Sequence, residues 1–155
     1  MEHTHPEVIN DKLLKELNKI SEYDPDHLPA EIEIIELFKK QFPFLLQVAC
    51  FDTSFHVTMP RVAKILPIPR RFDKAGIRRY GFHGLSYAYL MTVLKNIEGG
   101  DKSKGHIILA HLGNGASLAA VKEGKNLDTT MGFTPAGGLV MGTRPGDIDP
   151  GVSGT

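Results

Sequence analysis

The chain has 155 residues, 41% apolar and 23% charged, which is enough for one ordinary domain or parts of two with a packed core. Its 18 Lys and Arg are matched by 18 Asp and Glu, so no basic field marks a nucleic-acid or anionic-membrane partner, and an anionic ligand must be held by local groups. One cysteine excludes an intramolecular disulfide and fits a reducing cytoplasm, no apolar run is long enough to span a membrane, and the polar opening "MEHTHPEVINDKLLKEL" lacks the layout of a signal peptide.

Leu13, Leu14, Leu17 and Ile20 recur at spacings of three and four, which predicts a helix between Asn10 and Tyr23 with Asn10 or Asp11 as its cap. Pro25 and Pro29 then mark a loop. The run from Ala30 to Lys40 predicts a second helix stopped by Pro43, although "EIEII" alternates as a strand does. From Phe44 to Phe51, "FLLQVACF" has the continuous apolar character of a strand buried on both faces, with Cys50 a buried, inert thiol and Asp52 at the strand end. Thr58, Met59 and Pro60 read as the cap and first turn of a short helix to about Leu66, which "PIPRR" breaks before "AGIRRYGFHG" runs extended. After Ser86, a stronger helical pattern carries Leu90, Met91, Val93, Leu94 and Ile97 and is ended by "GGDKSKG". The remainder is β-rich: "HIILAHL" reads as a buried strand, "ASLAAVK" as a second, "EGK" as a hairpin turn and "NLDTTMG" as a third strand. A loop-rich stretch, "TPAGGLVMGTRPGDIDPGVSGT", follows without a closing helix or strand.

Five places could carry chemistry. Gly113 and Gly115 permit close backbone approach and positive φ, and with the Asn114 amide they make either an anion-sized nest or a plain glycine-rich hairpin turn. His83, with Phe82 between two glycines, is either a donor to a charged transition state or a histidine bonded for structure, and His111 at the end of "HIILAHL" is open to the same two readings. Asp52 could hold magnesium or steer a substrate, or cap the next turn. Arg144, in "MGTRPGDIDP", could clamp a carboxylate or phosphate, or pair with Asp147 and Asp149. No zinc-ligand spacing and no Gly-x-Ser-x-Gly elbow is present, and "PRRFDKAGIRRY" reads as a solvated surface.

Four stretches taken together, "FDTSFHVTMP" (51–60), "GIRRYGFHGLSY" (76–87), "HLGNGASLAAVKEGKNLDTTMGFTP" (111–135) and "GLVMGTRPGDIDP" (138–150), resemble the acetate kinase family in order and spacing. The resemblance implies an α/β fold, part of the two-domain architecture shared by acetate and sugar kinases, heat-shock ATPases and actin, with a ribonuclease H-like core. It implies that residues 1–51 are the C-terminal part of the first domain and 52–155 the N-terminal part of the second, including its phosphate hairpin. Full-length members extend further on both sides, so the chain is expected to be truncated and inactive alone. The implied reaction is direct transfer of the γ-phosphoryl group of ATP, with magnesium, to acetate, giving acetyl phosphate and ADP; the intact family enzyme is a homodimer. By the same resemblance, His83 and Arg144 stabilise the transferring group, Asp52 orients magnesium and substrate, Phe82 walls the acetate pocket, and His111, Gly113, Asn114 and Gly115 face ATP. The sequence departs from the family pattern at "HLPAE" (27–31), at Leu85 and Tyr87, where Thr and His are usual, and at Pro145, where Ser is common. These departures leave room for propionate or another short-chain acid in place of acetate, and a non-catalytic interaction module is the alternative of a different class.

Overall fold

Asn10 opens α1 (Asp11–Ile20) by accepting the N–H of Leu13 on its side chain at 2.9 Å. Leu13, Leu14 and Leu17 form the buried stripe of this helix. The second helix, α2 (Leu28–Gln41), starts two residues earlier than the sequence pattern suggests. Pro29 belongs to its first turn, where a missing N–H costs no intrahelical bond. Ile32 is the buried residue of α2. Preceding and following the helices, β1 (Glu7–Val8) and β2 (Val48–Ala49) pair antiparallel, Glu7 opposite Ala49 and Val8 opposite Val48.

This pairing corrects the expectation of a doubly buried strand over 44–51. Only two of its residues are in a ladder, Phe44 is 101% exposed and Leu46 71%, and Cys50 is exposed rather than buried. A strand is covered on both faces only inside a sheet with layers above and below it; here the two-residue ladder is all the pairing the run has among the described residues. The computed structural model describes residues 3–25, 27–98 and 102–152, and divides into one unit from His5 to Cys50 and another made of residues 51–152 with 3 and 4.

The second unit begins with a 3-10 run, Asp52–Thr58, followed by two short helices, α3 (Arg61–Lys64) and α4 (Arg70–Lys74). Thr58 caps neither; its hydroxyl donates to the carbonyl of Asn126 at 3.3 Å, and Pro60 precedes α3 with no side-chain cap. α4 forms where "PIPRR" reads as a breaker, since Pro69 sits at its N-cap and Asp73 in it pairs with Arg61 at 2.8 Å. Residues 75–83 are loop rather than strand, fastened by Arg79, whose guanidinium donates to the carbonyls of Thr129 at 2.7 Å and Thr130 at 3.2 Å while its Nε donates to Ala63. α5 (Gly84–Glu98) starts two residues before Ser86. Of the expected helix-ending stretch, Gly99, Gly100 and Asp101 lie outside the described residues, and Lys102–Lys104 form a 3-10 turn.

β3 (His106–Leu112), β4 (Ala116–Lys122) and β5 (Lys125–Thr129) make one antiparallel sheet in that order. The β4–β5 turn is Glu123-Gly124, with φ of 52° and 75°, the hand that matches strand twist in a two-residue hairpin. Period-two alternation puts Leu109, Ala119 and Val121 on one face, where they bury Tyr87 of α5, with Phe55, Leu90, Met91 and Ile107 packed around them. The opposite face is open, with Ile108 67% and Leu112 74% exposed, so β3 is a half-buried strand and not a fully buried one. No helix among the described residues is long and apolar enough to cross a membrane.

Where α5 begins, the chain passes so close to Asp52 that a Cβ on Gly84 would lie 1.9 Å from the Asp52 carbonyl oxygen and 2.9 Å from Cβ of Phe55. Both obstacles are stiff, so Gly84→Ala is expected to cost about 3 kcal/mol or more. Urea unfolding followed by circular dichroism reads this, and wild-type stability in the variant would contradict the packing.

Candidate functional site

The site begins with a strained residue. His83 has φ of 60°, in the left-handed region where a non-glycine residue costs energy. The Asp52 carboxylate compensates from another element: one oxygen accepts the N–H of His83 and the other the N–H of Leu85 at 3.2 Å. These are two donors at the N-terminus of α5, where amides lack helical acceptors and a negative charge is favoured. Asp52 therefore fixes both the start of α5 and the direction of the His83 side chain.

The imidazole of His83 stacks on that of His111, with centroids 3.9 Å apart and planes 15° from parallel. Each ring meets a serine through Nδ1: His83 with Ser117 Oγ at 2.8 Å, and His111 with Ser86 Oγ at 3.0 Å. Ser117 faces His111 across the β3–β4 ladder and is fully buried, and its hydroxyl also meets the hydroxyl of Tyr87 from α5. Ser86 and Tyr87 of the helix and Ser117 of the sheet thus hold the paired rings.

The β3–β4 turn, Gly113 to Gly115, closes with the Gly113 N–H donating to the Gly115 carbonyl at 3.0 Å. Neither glycine has a positive φ, so conformational freedom is not the reason for them. Proximity is. A Cβ on Gly115 would stand 2.8 Å from His83 Nε2 and 3.0 Å from Arg144 Nη2, and one on Gly113 would stand 3.2 Å from His111 Nε2. Arg144 reaches this point from the loop after β5, steadied by an Nη1 donation to the Pro135 carbonyl at 2.9 Å. Asp147 and Asp149 turn elsewhere, accepting the N–H of Gly138 at 2.7 Å and of Gly151 at 2.8 Å.

Of the residues singled out from sequence, Asp52, His83, His111, Gly113, Gly115 and Arg144 come together around the turn, and Asn114 is exposed at its tip. Phe82 is half-buried and contributes its carbonyl, which accepts from Nε2 of the buried His56 at 2.9 Å. Sequence reasoning missed Ser86, Tyr87, Ser117 and His56. Alternation along β4 carried a signal for Ser117, which shares the parity of Ala119 and Val121; the others fall in helices or turns where their partners are long-range.

Burial pushes the His83 imidazole below the usual histidine value, and the neighbouring His111, Arg144 and His56 push the same way against the pull of Asp52. Burial likewise lowers His56, against the Phe82 carbonyl and Asp52. Burial raises the Tyr87 phenol, leaving it protonated at neutral pH. Among the described residues no group of three or more His, Cys, Asp or Glu could by itself hold a metal ion.

Comparison with known proteins gives the chain its relatives. The Acetokinase family matches residues 1–154. Acetate kinase of Nostoc sp. is 47% identical over 150 residues, covering 97% of this chain and 37% of the relative, and acetate kinase of Campylobacter jejuni (strain 81116) is 48% identical over 146 residues, covering 94% and 37%. Among solved structures, a propionate kinase from Francisella tularensis superposes with a TM-score of 0.90 at 43% identity, covering 97% of this chain and 39% of that one. Porphyromonas gingivalis acetate kinase superposes with a TM-score of 0.86 at 41% identity, covering 97% and 38%. The chain therefore spans under two-fifths of the length of these relatives.

Because His56 and His83 are held below the ordinary value of 6.5, the unfolded chain binds protons more readily than the folded one as pH falls through that value. Stability is expected to be constant above about pH 7 and to decline progressively below about 6.5. Urea midpoints measured from pH 8 to pH 5 test this; a rise in stability on acidification would reverse the sign of both shifts.

Proposed function

We propose that this chain, which belongs to the Acetokinase family, carries the phosphate-facing part of a kinase that transfers the γ-phosphoryl group of ATP to acetate. A carboxylate oxygen of acetate attacks the γ-phosphorus, the bond to the β–γ bridging oxygen breaks, and ADP leaves with that electron pair, giving acetyl phosphate. The observation that carries the reading is the convergence of His83 Nε2 and Arg144 Nη2 on Gly115, where the missing Cβ lets both groups stand against the backbone of the turn.

Phosphoryl transfer leaves little covalent work for a protein, so placing donors where charge develops supplies most of the catalysis. Arg144 brings a permanent charge, and its tether to Pro135 spares part of the ordering cost. His83, held neutral, presents Nε2 as a donor that needs no proton from solution. In this reading Asn114 meets phosphate oxygens with its amide, His111 lines the nucleotide side, and Phe82 walls the carboxylate pocket. Asp52 spends one lone pair of each oxygen on a backbone amide and keeps the others, a donor set that suits water-bridged contact with a hydrated magnesium ion and not a closed cage. Magnesium bound there with ATP would neutralise phosphate charge. The division of the chain after Cys50 supports a boundary near Asp52 in the reading of residues 1–51 as the end of one domain and 52–155 as the opening of the next, while residues 3 and 4 group with the second unit. The cytoplasm is the compartment that supplies ATP and magnesium to such a reaction. The Francisella relative's description as a propionate kinase favours a second reading in which propionate is the acceptor.

In a longer protein containing this segment, Arg144→Ala or His83→Ala is expected to lower kcat for acyl phosphate formation by roughly 100-fold or more, with a smaller change in KM for ATP. Initial rates with acetate and with propionate, measured on the same preparations, test both readings; unchanged kcat in both variants would remove the two groups from the mechanism. In the 155-residue chain, Gly115→Ala is expected to weaken binding of inorganic phosphate about tenfold or more by filling the space between the two donors. Phosphorus NMR titration reads it, and equal binding in the variant would move the anion elsewhere.

A further inference from the structure

The Tyr87 hydroxyl is buried in a residue with 0% exposure, and its one hydrogen-bond partner among the described residues is Ser117 Oγ. A phenol out of water must place its hydrogen on an acceptor, and the Ser117 oxygen is the acceptor in reach. Ser117 is itself fully buried, with two partners, Tyr87 and His83 Nδ1. Having accepted from Tyr87, it has one hydrogen to give, and the group left to receive it is the Nδ1 lone pair at 2.8 Å. The bonding is satisfied in one direction only, from Tyr87 to Ser117 to His83.

We propose that Tyr87 and Ser117 are positioning residues that lock His83 in the tautomer with its proton on Nε2, the nitrogen that faces Gly115 and Arg144. This rests on the reading of His83 as a donor to the transferring phosphoryl group and names what holds it ready. Ring nitrogens of a neutral histidine are one donor and one acceptor, and the bond made by one fixes the role of the other. With Nδ1 reversed to a donor, Nε2 would turn a lone pair toward a phosphate oxygen, and the site would repel the charge it is built to stabilise. The stacked His111 serves as an internal reference, because its Nδ1 meets Ser86, which is outside the Tyr87–Ser117 pair.

The test is nitrogen NMR of histidine-labelled chain at neutral pH, which reads the protonated nitrogen of each ring directly and needs no catalytic activity. Wild-type His83 is expected to be protonated on Nε2. Tyr87→Phe keeps the ring packed against Phe55 and His56 and deletes one hydroxyl, freeing Ser117 to accept from Nδ1. The Nδ1-protonated form of His83 is then expected to rise about tenfold relative to wild type, the worth of one neutral hydrogen bond, while His111 stays as it was. Ser117→Ala, which removes the donor to Nδ1 altogether, is expected to raise the same form and decides the matter if Tyr87→Phe fails to fold. Wild-type His83 protonated on Nδ1, or a tautomer unmoved in the folded variants, would overturn the proposal; equal disturbance of His83 and His111 would reduce Tyr87 to packing. A locked tautomer together with unchanged kcat on loss of His83 would leave the relay standing and defeat the functional reading instead, so the two failures are distinguishable.

Discussion

The grip of the Asp52 carboxylate on the backbone of residues 83 and 85 is the constraint from which the rest of the second unit follows. A left-handed non-glycine residue costs on the order of 1–3 kcal/mol, and two hydrogen bonds to a charged acceptor offset that cost at about 1.5–3 kcal/mol each. The grip brings the two segments so close that residue 84 has no room for a side chain. It also sets the first turn of α5, hence the places of Ser86 and Tyr87 one turn on. Asp52 thus acts on the site chiefly through the backbone, whatever it does for a bound cation.

From that starting point the sheet completes the arrangement. Cross-strand pairing sets Ser117 opposite His111, and alternation turns both toward α5, where Ser86 and Tyr87 meet them. Two imidazoles stacked at 3.9 Å cannot both carry a proton cheaply, and burial adds to that cost. The environment therefore keeps His83 neutral, and the positive charge at the site is left to Arg144, which cannot lose its own. The glycines of the β3–β4 turn are there because these rings and the guanidinium crowd the backbone, His83 and Arg144 at Gly115 and His111 at Gly113.

Legibility in the sequence divides along the physical range of each signal. The α1 cap and stripe, the α5 pattern and the two hairpins are readable because each depends on neighbours within a helical turn or a loop of two or three residues. The run Phe44–Phe51 misled, since an apolar strand and an apolar segment paired over two residues look the same until the covering layers are known. Cys50, expected buried on the same pattern, is exposed for the same reason. The stretch "PIPRR" (67–71) reads as a breaker because of its two prolines, yet Pro69 fits the entry to a helix over Arg70–Lys74. At the site, Asp52, His83, His111, the turn glycines and Arg144 stood out by residue type beside glycine or at strand ends, whereas Tyr87 stood out only as a departure from the family pattern, Ser117 only by its parity in β4, and His56 by nothing in its residue type.

What the sequence by itself determined is the family, the local elements and the inventory of groups able to meet a phosphate. Four motifs in order carry the family, and short-range periodicity carries the elements. The tertiary structure decided what those groups do to one another: that Asp52 turns both oxygens to backbone amides, that Arg144 passes over its neighbouring aspartates, and that a tyrosine and a serine thirty residues apart define a histidine's proton. The reason is that hydrogen-bond direction and electrostatic environment depend on distances of a few ångströms between segments far apart in the chain, and residue spacing along the chain does not encode those distances.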